Sequence, residues 1–267
     1  MAEAAGLFYE TFGPADGEPL ILSPGLGGSA GYWTPNCAAL AERYRVILYD
    51  HRGTGRSDRA LPDHVTVDQM GDDIAALMDA LGLAQAHIVG HAAGANAGLS
   101  LALRAPDRVR SLVLVNGWAR PDPHFARAFD ARLALLRHVG VAAYLRAQPL
   151  FLYPPSWNSE HAAALDEEAA IQLAHFQGAE NLEKRVTALR DFDVDARLGT
   201  LAVPALGLAA KDDALVPWTL TCEMVVKAPG MEPLFLDWGG HACNVTEPER
   251  FRDAVCDFLA KHPMKGD

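Results

Sequence analysis

Short apolar runs bounded by glycine, proline or polar residues recur at 19–22, 44–49, 86–89, 109–115, 202–208 and 233–237, and they read as buried strands. Between them lie stretches of helical period. Met70, Ile74, Leu77, Met78 and Leu81 share one face over 67–81, which Gly82 closes, and Phe251, Val255, Phe258 and Leu259 share one face over 248–261. Residues 93–103 form a third helix, built of small side chains. Strand alternating with helix implies an α/β fold with a parallel sheet. From about residue 120 to 198 the strand pattern stops and helices and loops follow, with a break at 149–155, so this interval reads as a helical cap inserted over the sheet. The expected organisation is a first core segment over 1–119, a cap over 120–198 and a second core segment over 199–267.

Composition narrows the partners. The chain has 267 residues, half of them hydrophobic, enough for one unit with a sizeable core. A net charge of −11 argues against nucleic acid, whose phosphates need clustered Lys and Arg. The N-terminus has no basic region followed by an apolar run, and no segment approaches a membrane span, so a soluble cytoplasmic protein is expected. Cys37, Cys222, Cys243 and Cys256 show no C-x-x-C spacing. No metal, disulfide framework or cofactor is therefore expected.

The candidate chemistry centres on 88–98, where a strand, the turn Gly90-x-Ala92-x-Gly94 and a small-residue helix follow one another. That is the outline of a nucleophile elbow, in which G-x-S-x-G holds a serine on a sharp strand-to-helix turn. Here the central residue is Ala92. A methyl group cannot attack a carbonyl, so the turn of acyl transfer is present without its nucleophile.

Two loops after later strands supply the rest. In chain order Ala92, Asp213 and His241 occupy the places of elbow, acid and histidine. Asp213, four residues before Pro217, is expected to orient the His241 imidazole, with Asp212 as its rival. Leu26 in the glycine-rich turn 23–29 and Ala93 at the elbow are expected to aim backbone N–H groups at one developing oxyanion. Gly25, His91, Trp118, Phe151, Tyr153 and Phe176 are candidates to line a pocket for a small-molecule substrate, core filling being the other reading of the rings. Cys243 stands two residues beyond His241 and reads as a buried thiol rather than a substitute nucleophile.

Together with Asp50-x-Arg52-Gly53-x-Gly55-x-Ser57, these features resemble the α/β-hydrolase superfamily over nearly the whole chain. The runs 116–118, 147–154, 174–178 and 239–246 are similar to those of the D proteins of the Rut pyrimidine-utilisation pathway. The resemblance implies an α/β-hydrolase fold, a mostly parallel central sheet flanked by helices with an inserted helical cap. It also implies that alanine is natural at the elbow, and a role in hydrolysing carbamate or an aminoacrylate as nitrogen is released from uracil or thymine. Three other readings stay open: a non-catalytic protein that holds a metabolite or partner in the emptied pocket, a serine esterase inactivated at Ala92, and a cofactor-free lyase or oxygenase with His241 as base. The apolar cap leaves a homodimer open.

Overall fold

The computed structural model describes residues 2–264. Eight strands form one sheet: β1 (Ala2–Ala4), β2 (Leu7–Phe12), β3 (Glu18–Ser23), β4 (Tyr44–Tyr49), β5 (Ala86–His91), β6 (Val109–Val115), β7 (Ala205–Ala210) and β8 (Met231–Leu236). Their order is β1-β2-β4-β3-β5-β6-β7-β8; the pairs involving β2 are antiparallel and all others parallel. Around the sheet lie α1 (Thr34–Ala41), α2 (Val67–Ala80), α3 (Ala93–Arg104), α10 (Trp218–Lys227), α11 (Cys243–Thr246) and α12 (Pro248–Ala260). Between β6 and β7 the chain runs through α4 (Pro123–His138), α5 (Val141–Ala147), α6 (Pro149–Leu152), α7 (Pro155–Glu160), α8 (Ala162–Ala174) and α9 (Ala179–Asp191). These six make the cap.

Both faces of the sheet are covered, which is why its strands read as continuous apolar runs. Alternation along each strand divides the core in two. Ile21, Ile47, Ile88 and Leu112 pack with α2, α3 and the cap, while Leu20, Leu22, Val46, Leu48, Val89 and Val113 pack with α1 and α12. On α12, Phe251, Val255, Phe258 and Leu259 are all buried, each contributing roughly 1.5–3 kcal/mol as an upper bound. Thr66 and Gln69 form a reciprocal cap that starts α2: Gln69 N–H donates to Thr66 Oγ1 at 3.2 Å and Thr66 N–H to Gln69 Oε1 at 3.0 Å.

Several boundaries differ from the sequence reading. β1 and β2 carry no continuous apolar run; β2 ends in exposed Thr11 and Phe12 and owes its state to pairing with β4. β7 begins at Ala205 rather than 202, after Pro204, and β8 begins at Met231 and contains Pro233. Proline is tolerated there because β8 is an edge strand, where a missing donor leaves no partner unpaired. The break expected at 149–155 is instead two short helices, α6 and α7, each with proline in its first turn. No helix among the described residues is long and apolar enough to cross a membrane, and no group of three metal-ligating side chains occurs among them.

The sheet order reverses at β3: the chain passes from β3 to β4 on one side, then crosses to β5 on the other. Such a switch point opens a crevice beyond the carboxyl ends of the two central strands. Ser23 stands in register with Gly90, so the turn after β3 and the elbow after β5 begin side by side. Closeness there excludes side chains: a Cβ on Gly90 would overlap the backbone of Gly94 and Ala95, and one on Gly94 would overlap Ser23 O and lie 2.6 Å from Pro24 O.

Gly94→Ala is accordingly expected to destabilise the protein by at least about 1–3 kcal/mol despite the usual helical advantage of alanine. Gly98→Ala, whose Cβ would meet the movable Leu112 Cδ1 at 2.8 Å, is expected to cost much less. Urea midpoints of the two variants check this contrast.

A second expectation concerns acid. Burial, and then the positive charge of Arg185, lower His51 from 6.5 to about 3, and burial also lowers His87 and His91. The unfolded chain thus binds protons that the folded chain refuses, and stability falls as pH drops from about 6.5 towards 3, by up to about 1.4 kcal/mol per pH unit for each such histidine. Melting curves across that range are expected to be shallower in pH for His51→Gln than for the wild type.

Candidate active site

Ala92 sits at φ 48° and ψ −106°, a left-handed conformation that a residue with a Cβ adopts at a cost of order 1–3 kcal/mol. Neighbours enforce it. Its N–H donates to Val115 O at 2.9 Å, and its carbonyl accepts from Asn96 N–H at 3.0 Å. α3 begins at Ala93 with no side-chain cap, so its first N–H groups present the positive end of a helix to the crevice.

Beside the elbow, the turn after β3 closes with Gly28 N–H donating to Gly25 O at 3.0 Å. The segment after β4 fastens this turn. His51 donates from its backbone N–H to Gly28 O and from Nε2 to Pro24 O, both at 2.8 Å, while Thr54 Oγ1 donates to Gly28 O at 3.1 Å. Asp50 accepts from Ala30 N–H at 2.7 Å and Arg56 N–H at 2.8 Å. The Asp50 to Ser57 motif is thus a bracket that sets where the Leu26 N–H lies.

His241 follows β8 and is 2% exposed. Its Nδ1–H donates to Asp213 Oδ2 at 2.7 Å, which leaves Nε2 as the free ring nitrogen. The other oxygen of Asp213 accepts from Leu215 and Val216 N–H at 2.7 and 2.9 Å. Asp212 instead accepts from Gly240 N–H at 2.9 Å and Gly239 N–H at 3.3 Å, and so shapes the histidine loop. The His241 carbonyl is pinned twice, by His91 Nε2–H at 2.9 Å and by Asn116 Nδ2–H at 2.5 Å.

His91 stacks on Tyr32 and meets the His241 ring with centroids 4.7 Å apart. Burial, and then His241, hold it neutral, its pKa well below 6.5. Gly25 approaches it so closely that a Cβ would fall 2.8 Å from His91 Nδ1. Gly25, His91, His241 and Asp213 therefore form one contiguous group, with Ala92 next to His91 in the chain.

The aromatic candidates scatter more. Trp118 is buried against Phe125, with centroids 4.7 Å apart. Tyr153 is buried and stacks on Trp157, and its predecessor Leu152 accepts from Ala242 N–H at 2.9 Å, which seats the cap on the histidine loop. Phe151 and Phe176 are half-buried: Phe151 lies beside the Arg132 guanidinium, and Phe176 meets the Tyr144 ring. Cys243 is buried, and burial first, then Asp213, push its thiol up to about 12, so it remains an inert thiol.

Four polar residues of this region escaped the sequence reading. Asn116 adopts φ 50° after β6, a conformation asparagine tolerates, and its Oδ1 also accepts from Ala210 N–H at 3.2 Å. Its place before Gly117, in the run 116–118, carried no hint of this role. Gln177 donates to Leu26 O at 3.3 Å and accepts from Arg185 Nη1 at 3.1 Å. Arg132 is buried and donates to Tyr144 Oη at 3.0 Å and to Gln148 Oε1. A helical arginine ordinarily reads as a solvated face, so Arg132 and Arg185 gave no signal at all.

A family described as the alpha/beta hydrolase fold matches residues 18–248. A protein of Caulobacter sp. (strain K31), provisionally named carbamate hydrolase RutD, is 52% identical over 257 residues, which covers 96% of this chain and 96% of that one. A protein of Variovorax paradoxus (strain S110) with the same provisional name is 50% identical, covering 97% of this chain and 98% of its own. Among solved structures, a hydrolase from Pseudomonas aeruginosa PA01 superposes with a TM-score of 0.86 at 30% identity, covering 95% of this chain and 94% of that one. Similarity of this extent, carried by a sheet whose loops meet at the same switch point, makes the chain a member of the α/β-hydrolase family, and one whose elbow bears alanine.

Proposed function

We propose that this protein hydrolyses a small nitrogen-bearing acid, carbamate or an aminoacrylate, in the release of nitrogen from pyrimidines, by acid–base chemistry at His241 without an acyl-enzyme. One observation carries the reading. Asp213 and His241 remain paired at 2.7 Å in a fold whose elbow has lost its hydroxyl. A histidine oriented in this way still moves protons when there is no serine to activate. The provisional names of the relatives support carbamate as the substrate class.

For carbamate, His241 Nε2 in its protonated form gives a proton to the nitrogen. The C–N bond breaks with its electrons on nitrogen, ammonia leaves carbon dioxide, and the imidazole takes a proton back from solvent. The Leu26 and Ala93 N–H groups hold a carboxylate oxygen meanwhile. For an aminoacrylate, the same proton goes to the carbon beside the carboxylate and turns the enamine into an iminium. Water then adds to the iminium carbon as His241 accepts its proton; His241 passes that proton to the amino group, and ammonia departs with the C–N electrons as the hydroxyl gives its proton to solvent and becomes the aldehyde carbonyl. Neither route needs a covalent intermediate, and both substrates decompose unaided, so modest acceleration is sufficient.

His241→Ala is expected to reduce the acceleration of carbamate or aminoacrylate decay by about 10² to 10⁴, measured with freshly generated substrate against the spontaneous rate. A wild type that accelerates neither decay removes the hydrolytic reading and leaves a binding protein.

The two acids are expected to separate. Asp213→Asn keeps the shape but favours the wrong histidine tautomer, and a large loss, no greater than that of His241→Ala, is expected. Asp212→Asn, which touches only the glycines before His241, is expected to change the rate much less. Rates of both variants under one set of conditions make the comparison.

A further inference from the structure

Arg185 on α9 is a guanidinium that the protein has taken out of water without giving it a counter-charge. It is 1% exposed. Nη1 donates to Gln177 Oε1 at 3.1 Å, Nη2 is buried with no hydrogen-bond partner, and no carboxylate pairs with it among the described residues. Burial lowers its pKa only to about 10, so it is cationic at neutral pH. Buried charges in folded proteins are normally paired, because an isolated one costs more than its other contacts return.

The surroundings do not compensate it. Tyr49 Oη is engaged with Ser23 Oγ at 2.6 Å, and His51 is held neutral. Arg185 also forms a wall of a cavity of about 280 Å³, with His51, Leu61, Val65, Met70 and Asp73 among its other walls. Asp73 is already gripped by Arg52, whose Nη2 and Nε lie 2.8 and 3.0 Å from Oδ1. Asp72, on the same cavity, is taken by Arg104 at 2.6 Å. Each wall acid has its own arginine, and Arg185 is left with charge to spare.

We propose that this cavity is a binding site for a small carboxylate, held by the Arg185 guanidinium, with its short aliphatic body against Leu61, Val65 and Met70. A planar guanidinium suits a carboxylate because two parallel N–H donors match its two oxygens. The volume is ample for an acid of a few carbons. Near Arg185 the backbone leaves room only for glycine, since a Cβ on Gly28 would fall 2.7 Å from Nη1. Occupancy is felt at the reaction centre through Gln177, which links Arg185 to the Leu26 carbonyl. The acid is a separate small metabolite that acts on the glycine turn, since none of His241, Asp213, Leu26 and Ala93 lines this cavity, and its effect on turnover rests on the hydrolytic reading above. Binding itself does not.

The experiment is an NMR titration of arginine Nε–H signals in the full chain with propionate, and with propionamide as its neutral isostere. Propionate is expected to shift the Arg185 signal saturably, and propionamide to leave it in place. No saturable shift, or an equal response to both, overturns the site. The signal is assigned by its loss in Arg185→Met, which keeps the length, removes the unpaired charge and is expected to melt no lower than the wild type. If that variant does not fold, assignment passes to Arg185→Lys, and the wild-type comparison decides. In turnover, propionate changing kcat supports a separate acid acting through Gln177 and Leu26, and propionate raising KM alone marks competition at the catalytic centre and overturns that role. A protein without turnover leaves the titration as the test, so failure of the hydrolytic reading and failure of the site are told apart.

Discussion

Backbone against backbone, with no side chain between, is the contact on which the rest of this molecule depends. Where β3 ends and α3 begins, Gly94 lies under Ser23 and Pro24, and Gly90 lies under the first turn of the helix. Only glycine fits at either place, and the approach brings two sets of N–H groups, from the turn after β3 and from the start of α3, to one side of the sheet. The strained conformation of Ala92 follows from the same geometry, because the chain must pass from strand to helix within a residue. It persists although the residue carries no nucleophile, since the packing of β3, β5 and α3 requires the turn whatever side chain stands on it.

Around that contact the polar groups form a chain of positioning. Asp50, His51 and Thr54 fix the glycine turn, Asn116 and His91 fix the carbonyl of His241, and Asp212 fixes the two glycines before it. Asp213 alone is left to address the imidazole. All of these groups except the exposed Asp212 are buried or nearly so, and a buried hydrogen-bonding group left without its partner costs about 1–3 kcal/mol, so the arrangement holds as a unit. Adjacent aspartates thus have separate duties, and the division is set by which one faces the ring.

The cap joins the same network from above. Asn181 donates to Gly53 O and Arg59 O at 3.0 and 2.9 Å, Gln177 reaches Leu26, and Leu152 receives Ala242 N–H. Cap and core are therefore coupled at the loops that carry the chemistry rather than through apolar packing alone. Arg185 stands at this junction without an acidic partner among the described residues, and Arg132 is buried within the cap itself.

The sheet's central strands, the helices that flank them and the missing hydroxyl at Ala92 are legible along the chain. These follow from local periodicity, from glycines that only a close approach demands, and from the order of loops. Tertiary structure decided the rest. β1 and β2 become strands only because β4 offers them an edge, and Pro233 is admitted to β8 only because that edge is open. Asp212 and Asp213 are neighbours of identical chemistry; the place four residues before Pro217 favours Asp213, but only the fold shows which one meets a histidine 28 residues away. Asn116 and Gln177 acquire their roles from partners far off in sequence. A side chain's identity states which bonds it can make, but burial and distance select among them, and both exist only after the chain has folded.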